Sequence, residues 1–263
     1  METLLLFIAT GTAAGLMAGL FGVGGGLIMV PALVFLLPLS GIAPEIVVKV
    51  ALGTSLAVIA VTSLSSTRAH HRRDGVLWPV FRALAPGLAL GALGGAYVAH
   101  ATPGALLHKI VGVGALLLAV QMWLDLKPAG DAATLPGTPA LFSVGTVIGV
   151  LSSLIGIGGG SLTVPFLSWR GVEMRRAVGT AAACGVPIAW AGAAGYVSAG
   201  WNVAGRPEPG LGYVSLAAFA GLAVASVLAA PYGAKLAHKL SAPVLRRAFA
   251  VLLVATGIAL LAG

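Results

Sequence analysis

Charge is scarce in this chain: only 8% of its 263 residues are Asp, Glu, Lys or Arg. The seven carboxylates, Glu2, Glu45, Asp74, Asp125, Asp131, Glu173 and Glu208, lie at the edges of apolar runs or between them. With no acid inside a run, a carboxylate proton relay or an acidic cation site at membrane depth is not expected. A lone cysteine, Cys184, excludes an internal disulfide and a cysteine metal cluster. It sits within an apolar run, so its expected role is packing. No Ser-His-Asp or metal-ligand spacing occurs, so neither an enzyme nor a cofactor is implied. The glycine-rich stretches are not nucleotide loops, because no strand precedes them and no P-loop lysine follows.

Apolar residues are abundant: 59% of the chain is hydrophobic and its mean hydropathy is +1.04. A soluble domain of this size could not hide so much apolar surface. The expected class is an all-α integral membrane protein, since unpaired backbone groups are not tolerated in hydrocarbon. The runs are too long and uniform for the alternating strands of an outer-membrane barrel. The first run reads as a membrane segment rather than a cleaved signal peptide. The net charge of +8 would suggest nucleic acid in a soluble protein. Here Lys and Arg gather in short loops, where they set topology, and no nucleic-acid partner is expected.

The runs cover residues 3–37, 46–67, 78–99, 106–125, 139–168, 175–198, 211–236 and 243–262, about eight segments. Two of them contain nearly the same glycine-rich break, 134 positions apart. Gly22-Val23-Gly24-Gly25-Gly26 is followed by Pro31, and Gly156-Ile157-Gly158-Gly159-Gly160 by Pro165. Gly15 and Gly149 precede them at equal spacing. The correspondence continues from Lys49-Val50-Ala51-Leu52-Gly53-Thr54-Ser55 to Arg175-Arg176-Ala177-Val178-Gly179-Thr180-Ala181, and from Gly95–His100 to Gly233–His238. The chain therefore reads as two transmembrane repeats, 1–125 and 139–263, joined by a linker at 126–138.

Orientation follows from length and charge. A continuous helix over 3–37 would run ~50 Å against a hydrocarbon core of ~30 Å. If each segment crossed once, the Lys and Arg residues would divide six against nine. If each broken segment enters and leaves on one side, twelve share the cytoplasm and only Lys49, Lys109 and Arg206 face out. The expectation is an inverted repeat, with the linker inside and both ends outside. Trp78, Trp123, Trp169 and Trp201 fall at span ends as interfacial anchors. Trp190 is mid-span, and its expected role is packing.

Three successive glycines lower helix propensity by roughly 1 kcal/mol each. Pro31 cannot donate to the Leu27 carbonyl, nor Pro165 to that of Ser161. Backbone groups freed at membrane depth must face protein or a watery cavity. The N-terminus of a half-helix, with unpaired amides and a positive dipole end, attracts an anion. Two such ends would converge near the bilayer middle. The candidate substrate-binding residues are Gly24, Gly25, Gly26, Thr54, Ser55, Gly158, Gly159, Gly160, Ser161, Thr163 and Thr180, with Ser152 and Ser153 preceding the second break. Tight packing alone is the rival account of the glycines. It is the expected role of Gly87, Gly91, Gly94, Gly95, Gly112 and Gly114. Lys49 and Arg175 could draw anions to a vestibule, although snorkelling to the interface is the simpler expectation. His70 and His71 read as solvated in a basic loop, and His100 and His238 as interfacial packing.

The duplicated Gly-x-Gly-Gly-Gly…Pro, followed in each half by a Gly-Thr helix, resembles the TauE/SafE family of membrane transporters over essentially the whole chain. Gly53-Thr54-Ser55 matches as well, whereas the second half has Ala181 in place of the serine and weaker hydroxyl coordination there. The resemblance implies a bacterial inner-membrane permease exporting sulfite, sulfonates such as sulfoacetate, or other small sulfur-containing anions. A small anionic substrate and the lipid bilayer are the expected partners, and the glycine-rich faces permit a homodimer. A passive anion channel and a non-transporting assembly subunit are the alternative functions.

Overall fold

A computed structural model describes residues 2–21, 25–124, 135–237 and, with gaps, 250–261. The chain is mostly helical. Five described helices are long and apolar enough to cross a bilayer: Pro44–His71, Trp78–Ala101, Gly104–Gln121, Thr138–Ile155 and Met174–Ala199. Glu2–Phe21 (α1) is followed by Gly26–Leu36 (α2), Pro44–His71 (α3), Trp78–Ala101 (α4) and Gly104–Leu124 (α5). Then come Thr138–Ile155 (α6), Gly160–Trp169 (α7), Met174–Ala199 (α8) and Leu216–Ala237 (α9). Residues 250–261 are helical where described.

Prolines open several of these helices. Pro44 begins α3, and Pro79 and Pro139 stand in the first turns of α4 and α6, where no intrahelical N–H is needed. Each long glycine-broken segment is two helices. α2 has 11 residues and α7 has 10, about 15 Å of helix apiece, too short to cross a ~30 Å core. The run expected at 211–236 begins as a helix only at Leu216. Ahead of it, Gly210–Leu211 and Val214–Ser215 pair as an antiparallel hairpin, with Gly212 at φ 55°. The expected linker falls largely outside the described residues.

α3 lies at the centre, with every residue from Ile46 to Leu56 buried, and it crosses α8, which is buried from Gly179 to Gly185. α4 packs along α6, and α1 along α9; α2 lies on α3, and α7 on α8. The α4–α6 contact is backbone on backbone. A β-carbon at Gly95 would stand 2.9 Å from the Val150 carbonyl oxygen, and one at Gly145 2.6 Å from that of Leu84. Gly87 and Gly91 abut the carbonyls of Phe142 and Thr146, and Gly149 that of Leu88. Small residues thus bring the two helices together where lipid offers no hydrophobic drive. Between α1 and α9, Gly11 and Gly15 sit against the carbonyls of Leu222 and Ser226 in the same way. Gly112 packs on residues 257–261, and Gly114 on Ile155. Gly94 differs from the packing expectation, since it faces open space.

Cys184 is buried, as expected of a packing residue. Trp190 overturns its packing expectation. It is 55% exposed on the outside of α8, because Gly192 and Ala189, not Trp190, face the neighbouring helices.

A valine at Gly91 would drive its β-carbon into the Thr146 carbonyl, a backbone atom that cannot move alone. Gly91→Val should therefore cost about 1–3 kcal/mol or more in detergent thermal unfolding. Gly94→Ala, in open space on the same helix, should be neutral or stabilising by up to about 1 kcal/mol.

Candidate functional site

The second break is built by a left-handed glycine. Gly156, at φ 73°, ends α6 by donating its N–H to the Ser152 carbonyl, which also accepts from Ile157 N at 3.0 Å. Residues 157–160 stay buried, and α7 starts at Gly160, with Thr163 N donating to the Gly159 carbonyl at 2.9 Å. In the first break the left-handed residue is Gly25, at φ 72°. Its carbonyl accepts from Ile28 N at 3.1 Å and Met29 N at 3.3 Å as α2 begins. A side chain at either position would meet the strain of a positive φ.

The two breaks touch. A β-carbon at Gly26 would stand 2.6 Å from the Gly156 carbonyl oxygen, 3.1 Å from the Ile157 Cα and 2.7 Å from the Ile59 Cδ1. One at Gly159 would stand 3.0 Å from Gly185 N and 3.1 Å from the Cys184 carbonyl carbon. Gly185 in turn faces Ser63 on α3. The start of α2 therefore meets the end of α6 and the second break, and the start of α7 lies on α8, near where α8 meets α3. Ser55 braces the junction, its hydroxyl donating to the Gly156 carbonyl at 3.0 Å inside the core. Ala181, its counterpart on α8, has no hydroxyl with which to do the same.

The remaining expected hydroxyls divide into two groups. Thr54 Oγ1 accepts the N–H of Ser215 at 3.0 Å, and Thr180 Oγ1 accepts that of Leu77 at 2.9 Å. Beside them Gly53 abuts the Tyr213 carbonyl and Gly179 that of Gly75. Each Gly-Thr pair thus holds the loop that leads into α9 or α4, so these two hydroxyl oxygens are already engaged as acceptors. Ser152, Ser153, Ser161 and Thr163 form the other group. Their hydroxyls are buried without a hydrogen-bond partner among the described residues, a state that costs about 1–3 kcal/mol per group. All four flank the second break. Gly158 is buried within it, whereas Gly24 lies outside the described residues.

Other participants were not singled out by the sequence. Tyr196, fully buried on α8, donates to the Ser153 carbonyl at 3.1 Å and meets the Tyr213 ring edge to face. Tyr213 is hydrogen-bonded to His100 Nδ1 at 3.0 Å, and burial pushes its phenol up. The signal was available for Tyr196, since a mid-span phenol needs a partner. Ile59 and Met29 carried no signal, being ordinary apolar residues in apolar helices. Lys49 does not snorkel: it is 9% exposed, and its ammonium donates to the His100 carbonyl at 2.7 Å, closing the end of α4. Arg175 donates to the Arg73 carbonyl. No cluster of metal-ligating side chains occurs among the described residues.

A buried junction between the start of α2 and the second break, flanked by unpartnered hydroxyls and with no carboxylate among its described contacts, is suited to an anion. The model of the sulfite exporter TauE/SafE family matches residues 7–260. The chain belongs to that family. A "Probable membrane transporter protein" of Haemophilus influenzae is 36% identical over 258 residues, covering 97% of both chains. One of Methanocaldococcus jannaschii is 28% identical over 246 residues, 92% of this chain and 89% of that protein. The "Probable membrane transporter protein YunE" of Bacillus subtilis is 30% identical over 178 residues, 61% of this chain and 65% of that protein. No solved structure matches. The family and these relatives indicate a multi-pass membrane transporter.

Removing the Ser55 hydroxyl strands the Gly156 carbonyl in the core. Ser55→Ala should lower stability by about 1–3 kcal/mol in thermal unfolding. Ser152→Ala, which removes a hydroxyl that has no partner, should leave stability unchanged or raise it.

Proposed function

We propose that this TauE/SafE member is a secondary transporter of small oxyanions, exporting sulfite or an organosulfonate across a bacterial inner membrane by alternating access. The observation that carries the reading is the contact of Gly26 with Gly156 and Ile157 at the α3–α8 crossing. It brings the start of α2 against the second break, the segment that leads into α7. The groups available to hold the substrate are the glycine amides of the two breaks and the hydroxyls of Ser161 and Thr163. Ser55, Thr54 and Thr180 keep the junction and its flanking loops in place.

The packing supports an arrangement of two inverted repeats of four segments, 1–125 and 139–263, joined by a cytoplasmic linker. Under the duplication α1 corresponds to α6, α3 to α8 and α4 to α9. The pair α1–α9 then exchanges with α6–α4, and α2–α3 with α7–α8, while α3–α8 maps onto itself. Such a set of contacts has two related halves that can rock about a shared middle. Moving one negative charge outward is favoured by roughly 2.3 kcal/mol per 100 mV of inside-negative potential. Export by this route needs no buried carboxylate.

The test is uptake of labelled sulfite and organosulfonates into proteoliposomes under an imposed voltage. Saturable flux, competed by unlabelled anion and increased by positive-inside voltage, is the expected result. Gly159→Leu, which forces a side chain onto Gly185, should abolish it while leaving membrane insertion intact. Flux that never saturates would show a channel instead. Well-folded protein that carries no flux would remove the transporter reading.

A further inference from the structure

The two breaks match in glycine and proline but not in what surrounds them. Ser152, Ser153, Ser161 and Thr163 of the second half correspond, at the same offset of 134 positions, to Ala18, Gly19, Leu27 and Met29 of the first. Every hydroxyl at the second break is replaced by carbon or nothing at the first. The two ends therefore offer different chemistry to anything bound between them.

Met29 and Thr163 make the contrast concrete. Each is the fourth residue of its half-helix, and each is fully buried. Helical side chains lean back toward the N-terminus, over the residue four positions earlier. Met29 does so: its Cε lies 3.4 Å from where a Gly25 β-carbon would stand. The thioether side chain thus covers the start of α2 with carbon. Thr163 leans over the start of α7 by the same geometry, but it brings a hydroxyl that has no partner. Ser161, two residues closer to that start, brings another. A helix start with unpartnered, fully buried hydroxyls is equipped for an anion, whereas one covered by methionine is not.

We infer that the oxyanion head is held by the second break alone and that Met29 and Ile59 form an apolar wall for the rest of the molecule, which selects monoanionic alkanesulfonates over substrates charged at both ends. The inference rests on the anion-transporter reading above. It adds a direction to the site, with the head toward α7 and the body toward α2. A second charged group, such as the carboxylate of sulfoacetate, would be pressed against Met29 with no group to pair it.

Uptake of labelled ethanesulfonate into proteoliposomes, competed by unlabelled ethanesulfonate or sulfoacetate, tests this. The wild-type protein should be inhibited by ethanesulfonate at roughly tenfold lower concentration than by sulfoacetate. Thr163→Val and Ser161→Ala should each raise the apparent KM for ethanesulfonate roughly tenfold, and Thr163→Ser should restore it. Met29→Thr, which gives the first break the residue of the second, should move the preference toward sulfoacetate roughly tenfold. Size-exclusion and thermal unfolding on each variant separate loss of binding from loss of fold, and Ser161→Ala carries the test if Thr163→Val does not fold. Wild-type flux of both anions with an unchanged preference in Met29→Thr, or undiminished affinity in folded Thr163→Val or Ser161→Ala protein, overturns the inference and leaves the transporter reading standing. Absence of wild-type flux for sulfite, ethanesulfonate and sulfoacetate alike overturns both.

Discussion

The structure depends on one constraint: a helix interrupted at membrane depth must find something for its freed backbone groups to face. Two interruptions solve it together. Gly26 can approach Gly156 and Ile157 because it has no side chain, and the exposed Gly156 carbonyl is taken up by Ser55 from the neighbouring helix. Each break thus supplies part of the other's surroundings. Neither short helix could be placed alone, since 10 or 11 residues do not span the hydrocarbon and a proline stands inside each.

The rest of the packing keeps that junction from drifting. α3 and α8 cross beneath it, and each uses the residue pair just ahead of the crossing to grip a loop. Thr54 holds Ser215, Thr180 holds Leu77, and the adjoining glycines let the loop backbone come close enough to be held. The loops so held are the ones that enter α9 and α4. Those helices are in turn zipped by glycine to α1 and α6, the helices that run into the breaks. A closed circuit of backbone contacts therefore surrounds the site, made almost entirely of glycine, serine and threonine. Hydrophobic burial cannot drive helix association in lipid, and these residue types are what remains to do so.

Much of this was legible in the chain before any coordinates. Glycine triplets with a following proline mark a helix break because their backbone propensities are extreme, and the breaks fall where expected. That Gly87, Gly91 and Gly95 would let a neighbouring helix come close was legible from their size, but not that the neighbour is α6. What was not legible concerns direction. Thr54 and Thr180 read as site hydroxyls, yet a helix turns 100° per residue, and sequence alone does not say which neighbour a side chain meets. Trp190 and Lys49 misled in opposite senses. A mid-span tryptophan suggests packing, but exposed aromatic surface costs nothing against lipid. A lysine near a span end suggests snorkelling, but Lys49 found the His100 carbonyl, one of the unpaired groups that every helix end leaves. The hairpin at Gly210–Ser215 was read as the start of α9 because its composition is apolar, and its turn rests on the single positive φ of Gly212.

Duplication is usually read for what it repeats, but here the departures say more about binding. A site between two identical halves would present the same groups from both sides and would suit a ligand with two like ends. This chain keeps the backbone devices in both copies, because both breaks must be satisfied. It does not keep the side chains, since nothing in helix packing requires Thr163 to be matched at Met29. The four hydroxyls at the second break, like that of Ser226 between α1 and α9, are buried without a partner among the described residues, and each carries a desolvation cost that an alanine would avoid. Under the proposed function, a bound oxyanion is the acceptor for those at the second break. The same cost argument runs in reverse at the first break: a methionine methyl over the start of α2 is cheap only if no charge is ever brought there. Under the proposed function, the unmatched hydroxyls and the methionine suit a ligand with one charged end.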